Sequence, residues 1–385
     1  MRTETTEVVI TGAGPSGSVA AGILRKLGRK VLVLERETFP RFSIGESLLP
    51  QTMQYIEEAG MLQDVVEAGF QYKNGASFSR GSNYTEFDFR DKFTQGWGTT
   101  YQVQRAKFDK VLADAAARKG AEVRYRHEVQ AVDVSGTPKL TVKNADTGEV
   151  YGVEAKLVLD ASGFARLLPR LLELERPSSF PVRQAFFTHI EDRIPAKNGS
   201  FDRNKIRVAI HPDHVDVWYW VIPFSDGRCS LGVVAEAAFL DKYQGDETTK
   251  LKTLVNEDPN LRELLKNAVW DTPARTLRGY SSNVKQLCGK GYALLGNAGE
   301  FLDPVFSSGV TIAMTSSSLA AKCAHRELNG ETVNWEADYA VPLKRGVDSF
   351  RAVVEAWYAG GFQKVIFHPK PSKPTISRLL LKYFA

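Results

Sequence analysis

The chain has 385 residues, of which 43% are hydrophobic and 25% charged, and a formal charge of +5. That length can bury the core of one large two-lobed unit. No apolar run approaches the roughly 18 residues a membrane helix needs. Lysines and arginines are scattered without an aromatic–basic module, so neither nucleic acid nor a membrane is an expected partner. The mild positive charge is compatible with an acidic protein partner. Cys229, Cys288 and Cys323 are odd in number and lack metal-ligand spacing, so reduced thiols and no metal site are expected. The polar stretch from Met1 to Glu7 leads straight into a strand, which predicts no signal peptide and a cytoplasmic location.

In chain order, residues 7–11 predict an apolar strand, Ser16 to Leu27 a tightly packed helix, and Val31 to Leu34 a parallel strand. Between the first two lies Gly12-Ala13-Gly14-Pro15-Ser16-Gly17, a dinucleotide fingerprint. Gly12 permits the turn, Gly14 lets backbone approach a pyrophosphate, and Gly17 allows close helix–strand packing. The start of the helix then offers free N–H groups to the phosphates. Glu35 closes the second strand, where a carboxylate accepts ribose hydroxyls and disfavours a 2′-phosphate; Arg36 follows it. A helix is expected from about Gln51 to Ala59, β-structure from Gly69 to Arg90, and a helix from Arg105 to Arg118. Further strands are expected over 123–134, 140–142, 150–155 and 157–159, the last running into Asp160-Ala161-Ser162-Gly163. The pair 215–222 and 230–235 follows, then Tyr292 to Leu295, and a small-residue helix from about Gly309 to Leu328. From about Asn334 the chain reads as helical and ends in a basic tail.

Five motifs occur in a fixed order: GxGxxG, Gly45-Glu46-Ser47, Phe70-Gln71-Tyr72-Lys73-Asn74-Gly75, the WxWxIP stretch Trp218-Tyr219-Trp220-Val221-Ile222-Pro223, and Asp303-Pro304-Val305-Phe306-Ser307-Ser308-Gly309. Over residues 6–325 this set resembles the flavin-dependent halogenases, most of all those that halogenate pyrrole or phenol rings on a carrier protein. It is less similar to the tryptophan halogenases, which are longer and have a glutamate where Phe306 stands. The resemblance implies an α/β, two-lobed fold. Its Rossmann-like FAD lobe is of the p-hydroxybenzoate-hydroxylase/geranylgeranyl-reductase type, with an inserted β-sheet substrate lobe and a short helical C-terminus. The expected partition gives residues 1–65, 96–168 and 275–333 to the FAD lobe, 66–95 and 169–274 to the substrate lobe, and 334–385 to the C-terminal segment.

The same resemblance implies FAD used as FADH2, oxygen and a halide, chloride or bromide, with a separate flavin reductase supplying the reduced cofactor. Oxygen forms a flavin hydroperoxide, the halide converts it to hypohalous acid, and a lysine presents the electrophile to the ring. Lys73 matches that lysine. An ammonium polarises the hypohalous oxygen, and a deprotonated amine can itself be halogenated. An ordinary strand lysine is the bland alternative. Ser308 and Gly309 match the halide position at a helix start, where a plain N-cap serine would serve equally. Trp218, Trp220, Ile222 and Pro223 match the barrier that keeps substrate from the flavin, and Trp218 and Trp220 are also natural core residues. Arg41, Ser43, Ile44, Arg105, Asp303 and Val310 match cofactor-contacting positions. Gly296-Asn297 stands where many relatives have Gly-Asp, and Leu302, Phe306, Trp357 and Tyr358 are candidates to shape the pocket. The competing readings are a reductase or dehydrogenase of the geranylgeranyl-reductase type, an aromatic hydroxylase, and a catalytically silent carrier-binding relative.

Overall fold

The four-residue run Val8 to Thr11 and the whole strand Val31–Glu35 are buried, as strands covered by helices on both faces require. In the computed structural model, which describes residues 2–195, 199 and 201–368, they form the middle of an eight-stranded sheet. Thr3–Thr11 lies parallel to Val150–Asp160 on one side and Val31–Glu35 on the other. Glu122–Tyr125 and Tyr292–Leu294 extend the parallel set outward. The register pairs Thr11 with Asp160 and Leu34, and Asp160 with Leu294. The carboxyl ends of four strands therefore lie level, and the glycine turn, the Asp160–Gly163 turn and the Gly296-Asn297 turn leave the sheet together. Such an edge is where α/β sheets bind ligands.

The helix Pro15–Lys26 buries ten of its twelve residues. It packs on the helix Ser308–Leu328, where Ser317 Oγ donates to the Ser16 carbonyl at 2.7 Å. Small residues on both helices permit that approach.

A second, seven-stranded sheet has the order Arg275–Arg278, Arg183–Glu191, Arg228–Glu236, Trp218–Pro223, Lys205–Ile210, Gly75–Arg80, Asn83–Asp88. Alternation sends Trp218, Trp220 and Ile222 to one face, against Phe306, Trp357 and Phe362. Tyr219 and Val221 take the opposite face, under Leu251, Leu254 and Val255 of the helix Glu247–Glu257.

Three expectations are corrected. Residues 123–134 form two strands, Glu122–Tyr125 and His127–Asp133, because Arg126 at φ 62° interrupts the extended backbone between them. Residues 150–160 form one continuous strand, in which the expected break at 156 is only an exposed position along a strand paired with Thr3–Thr11 on both sides of it. Arg275–Arg278, assigned above to the cofactor lobe, pairs with Arg183–Glu191 in the second sheet. The helices Val341–Tyr358 and Gly361–Ile366 follow, and the basic tail lies outside the described residues. Among the described residues, no helix is long and apolar enough to cross a membrane.

Candidate active site between the two sheets

One cavity of about 420 Å³ runs from the glycine turn to the tryptophan face of the second sheet. Gly12 has φ +99°, and a Cβ there would lie 2.6 Å from the Ala161 carbonyl oxygen. A Cβ on Gly17 would lie 1.9 Å from the Gly12 oxygen. Gly14 differs. Its nearest neighbour would be the flexible Arg41 Nη2 at 3.5 Å, and Gly14 lines the cavity. Gly12 and Gly17 are thus required by the fold, and Gly14 leaves open a cradle that a larger side chain would fill. Pro15 is the first residue of the helix, whose first turn carries no acidic side chain to compete with an anion. Both oxygens of Glu35 accept backbone N–H groups, from Ala13 at 2.9 Å and Glu37 at 3.0 Å, which fixes the carboxylate at the cavity wall. Arg105 grips the buried Asp109 with two bonds of 2.7 and 3.0 Å and donates to the Ile44 carbonyl. Arg41 lies 3.8 Å from the same aspartate. Arg36, Ser43, Ile44 and Val310 line the same space, whereas Ala13 and Gly17 sit inside the turn. This donor set, a glycine cradle, two guanidinium groups and a carboxylate, fits FAD.

At the other end, Trp218, Trp220 and Ile222 line the cavity, and Pro223 closes their strand without lining it. Trp220 Nε1 donates to Ser230 Oγ at 3.0 Å, and its ring lies over Gly232, where a Cβ would be 2.3 Å away. Trp218 Nε1 donates to the Tyr358 hydroxyl at 3.0 Å, and that hydroxyl donates to Asp303 Oδ2 at 2.9 Å. Tyr280 reaches the same oxygen at 3.3 Å, and Val305 N donates to Oδ1 at 3.0 Å. Asp303 is thus enclosed by three donors rather than lining the cavity, and burial raises its carboxyl above the usual range. Ser307, at φ 56°, begins the helix Ser308–Leu328 without a side-chain cap. Gly309 lines the cavity; Ser308 is buried beside it, and Thr311 Oγ1 in the same turn is buried without a partner among the described residues. Phe306 packs edge-on against Trp357 at 5.6 Å and Phe362 at 5.4 Å.

Lys73 is 1% exposed. Its Nζ donates to Ser47 Oγ at 2.7 Å and the Leu48 carbonyl at 2.6 Å, and lies 5.1 Å from the Phe89 ring. Ser47 lines the cavity, so the ammonium sits one hydrogen bond behind its wall. Burial lowers its pKa to about 7.

Sequence reasoning missed Tyr280 as a partner of Asp303, and it missed the hydrogen bond of 2.8 Å between Glu46 Oε1 and His189 Nε2. Glu46 was visible only as part of a short motif. Nothing in the spacing connects it with a histidine 143 positions away.

A family profile described as FAD binding domain matches residues 5–289. A 1H-pyrrole-2-carbonyl-(peptidyl-carrier protein) chlorinase of Pseudomonas fluorescens is 32% identical over 340 residues, covering 82% of this chain and 74% of that protein. The chain belongs to the flavin-dependent halogenase family. A corresponding brominase of Pseudoalteromonas luteoviolacea is 30% identical over 339 residues, with 86% and 80% covered. In structure, a flavoprotein/dehydrogenase from Cytophaga hutchinsonii superposes with a TM-score of 0.94 at 41% identity, covering 99% of this chain and 92% of that one. Membership makes the protein an enzyme of the flavin-dependent halogenase type. It fixes FAD as the cofactor, with the halide and oxygen that halogenases use.

Two outcomes follow for this halogenase. Gly14→Val fills the cradle while its Cβ meets only side-chain ends, Arg41 Nη2 at 3.5 Å and Asp109 Oδ2 at 4.0 Å, so the variant folds with near wild-type stability and loses FAD affinity at least about tenfold; flavin-fluorescence titration beside a thermal melt checks this. Lys73→Met removes a group whose folded pKa of about 7 lies below its ordinary 10.5. Between those values the unfolded wild-type chain binds the extra proton, so wild-type stability rises with pH. The variant's advantage in urea melts is therefore largest below pH 7 and declines as pH approaches 10.5.

Proposed function

We propose that this halogenase makes hypohalous acid at reduced FAD and delivers it through Lys73 to an electron-rich ring. The ring is a pyrrole or phenol acyl group on a carrier protein, and a separate reductase supplies the reduced flavin. The observation that carries the reading is the buried Lys73 ammonium, held by two neutral acceptors with Ser47 between it and the cavity.

Bound reduced FAD, with oxygen, supplies the oxidising equivalent that converts halide to hypohalous acid. The chain's residues do the rest. Gly14 and the first turn after Pro15 receive the pyrophosphate, Glu35 the ribose, and Arg41 and Arg105, with Ser43, Ile44 and Val310, hold the cofactor's remainder. The N–H groups of Ser308 and Gly309, with the unpartnered Thr311 hydroxyl nearby, suit a halide. Lys73 Nζ passes its proton through Ser47 Oγ to the hypohalous oxygen as the halogen–carbon bond forms. With a pKa near neutrality, the amine form is also accessible for halogenation. Trp218, Trp220 and Ile222, on the strand that Pro223 closes, form an apolar wall, braced by Ser230 and Tyr358, that keeps the ring from the flavin. Phe306 offers no carboxylate to assist indole substitution, which favours more electron-rich rings. The net positive charge suits an acidic carrier, with salt-sensitive contacts. Both carrier-type relatives support this substrate class.

The second reading is a flavin dehydrogenase without halogenation, favoured by the similarity to the Cytophaga flavoprotein/dehydrogenase. Halide-dependent product formation with reduced FAD separates the two. Lys73→Ala abolishes that product, by at least about a hundredfold, while flavin reoxidation continues at the wild-type rate; retained halogenation removes Lys73 from the mechanism. Offered free tryptophan, a free pyrrole or phenol acid, and the carrier-bound acid side by side, the enzyme turns over the carrier-bound form. Clean turnover of tryptophan overturns the substrate class, and turnover of the free acid alone removes the carrier.

A further inference from the structure

Halogenation has a proton requirement that the groups assigned above do not meet. Reduced FAD, oxygen, halide, an aryl C–H and one proton become FAD, aryl halide and two waters. Two of the four hydrogens in that water come from the flavin and one from the ring. The fourth enters from solvent at every turnover. Lys73 holds one proton but, 1% exposed and bonded to Ser47 and Leu48, has no route of its own to bulk water.

Glu46 and His189 have the geometry of such a route. Glu46 lines the cavity and is 2% exposed; its Oε1 meets His189 Nε2 at 2.8 Å, and Oε2 has no partner among the described residues. His189 does not line the cavity, and 17% of its side chain reaches solvent. Its Nδ1 has no hydrogen-bond partner among the described residues. The imidazole is held between Phe42 at 5.3 Å and Phe224 at 5.1 Å. On the second sheet it stands in one cross-strand row with Ser230 and Ile222, so the pair borders the tryptophan wall.

We infer that Glu46 and His189 form a proton-conducting pair that brings the consumed proton from solvent into the cavity. The inference rests on the halogenase reading. His189 Nδ1 takes up a proton, Nε2 gives one to Glu46 Oε1, and the carboxyl group releases it to the oxygen that leaves as water. Atoms and charge balance, because the halide's negative charge and the proton disappear together. The charges around the pair are already partnered. Arg228, which contacts the His189 carbonyl, is bonded to Asp271 at 2.7 Å, and Arg203 to Asp192 at 2.9 Å. Arg275 lies over the Phe42 ring, and the neighbouring Cys229 thiol is pushed up by burial. Lys73 is one residue along, through Ser47.

The test uses Glu46→Gln, which keeps a hydrogen bond to His189 but carries no proton, and His189→Gln. Aryl halide formation and flavin reoxidation are followed with reduced FAD from about pH 6 to 9. In Glu46→Gln, halogenation falls about a hundredfold at the alkaline end and less at the acid end, and formate or imidazole buffer restores it. An unchanged pH profile overturns the inference. So does a uniform loss without buffer rescue, which marks the pair as a mere brace between segments. If Glu46→Gln does not fold, His189→Gln with imidazole rescue decides. Wild-type enzyme that forms no aryl halide sinks the halogenase reading instead, a result distinguishable from every outcome above.

Discussion

The site depends on how closely three pieces of backbone meet at the end of the first strand. The Gly12 oxygen occupies the place where a Gly17 side chain would begin, and the Ala161 carbonyl occupies the place of a Gly12 side chain. With no Cβ at either position, the helix Pro15–Lys26 can start directly over the edge of the sheet. Its free amides then point at the position Gly14 leaves open. The turns at Asp160 and Gly296 arrive at the same level because their strands are in register with Thr11 through Asp160. A side chain at either glycine would move the helix off the sheet and dissolve the cradle.

The segment from Arg41 to Leu48 connects that edge to the second sheet. Arg41 lies close to the buried Asp109, and the Ile44 carbonyl accepts from Arg105. Phe42 stacks on Phe187 at 5.9 Å, a residue of the second sheet. Four positions further along, Glu46 meets His189, and Ser47 accepts from Lys73. Eight residues thus carry contacts to the cofactor end, the tryptophan face and the lysine. Ser47 also bridges to Gln102 and the Val103 amide donates to the Glu46 carbonyl at 2.7 Å, so the segment is anchored by backbone as well as by side chains.

The features legible in the sequence were those whose physics is local. A glycine turn between strand and helix, alternating tryptophans and a small-residue helix each follow from a few neighbouring residues. The family resemblance supplied the motif order, and profile and relatives agree with it. Features requiring distant partners were not legible. The strand break at Arg126 needs a positive φ at a residue with no special tendency towards it. The strand Arg275–Arg278 joins the second sheet through a pairing with Arg183–Glu191, about 90 positions earlier. Asp303 looked like a flavin contact by motif, yet its oxygens are engaged by Val305, Tyr280 and Tyr358, two of which come from outside the motif.

The buried charges separate by how completely they are satisfied. A charge removed from water costs stability unless hydrogen bonds or an opposite charge compensate it. Asp160 accepts from Thr11, Ser162 and Leu168, Asp303 has its three donors, and both oxygens of Asp109 accept from Arg105, through Nε and Nη2. These carboxylates lock turns and helix starts, and their full complement of partners leaves no capacity for chemistry. Lys73 has two neutral acceptors and no carboxylate, and Glu46 has a single imidazole. Both reach the same cavity, Glu46 directly and Lys73 through Ser47. Incomplete compensation is a cost that packing alone would not maintain, because apolar residues of similar size would serve the core better. Lys73 and Glu46 meet at one short segment at the junction of the sheets, where the cavity turns from the glycine cradle to the tryptophan wall. That placement sets Lys73 and Glu46 apart from the fully partnered Asp109, Asp160 and Asp303, and it is the place where the proposed chemistry requires a proton.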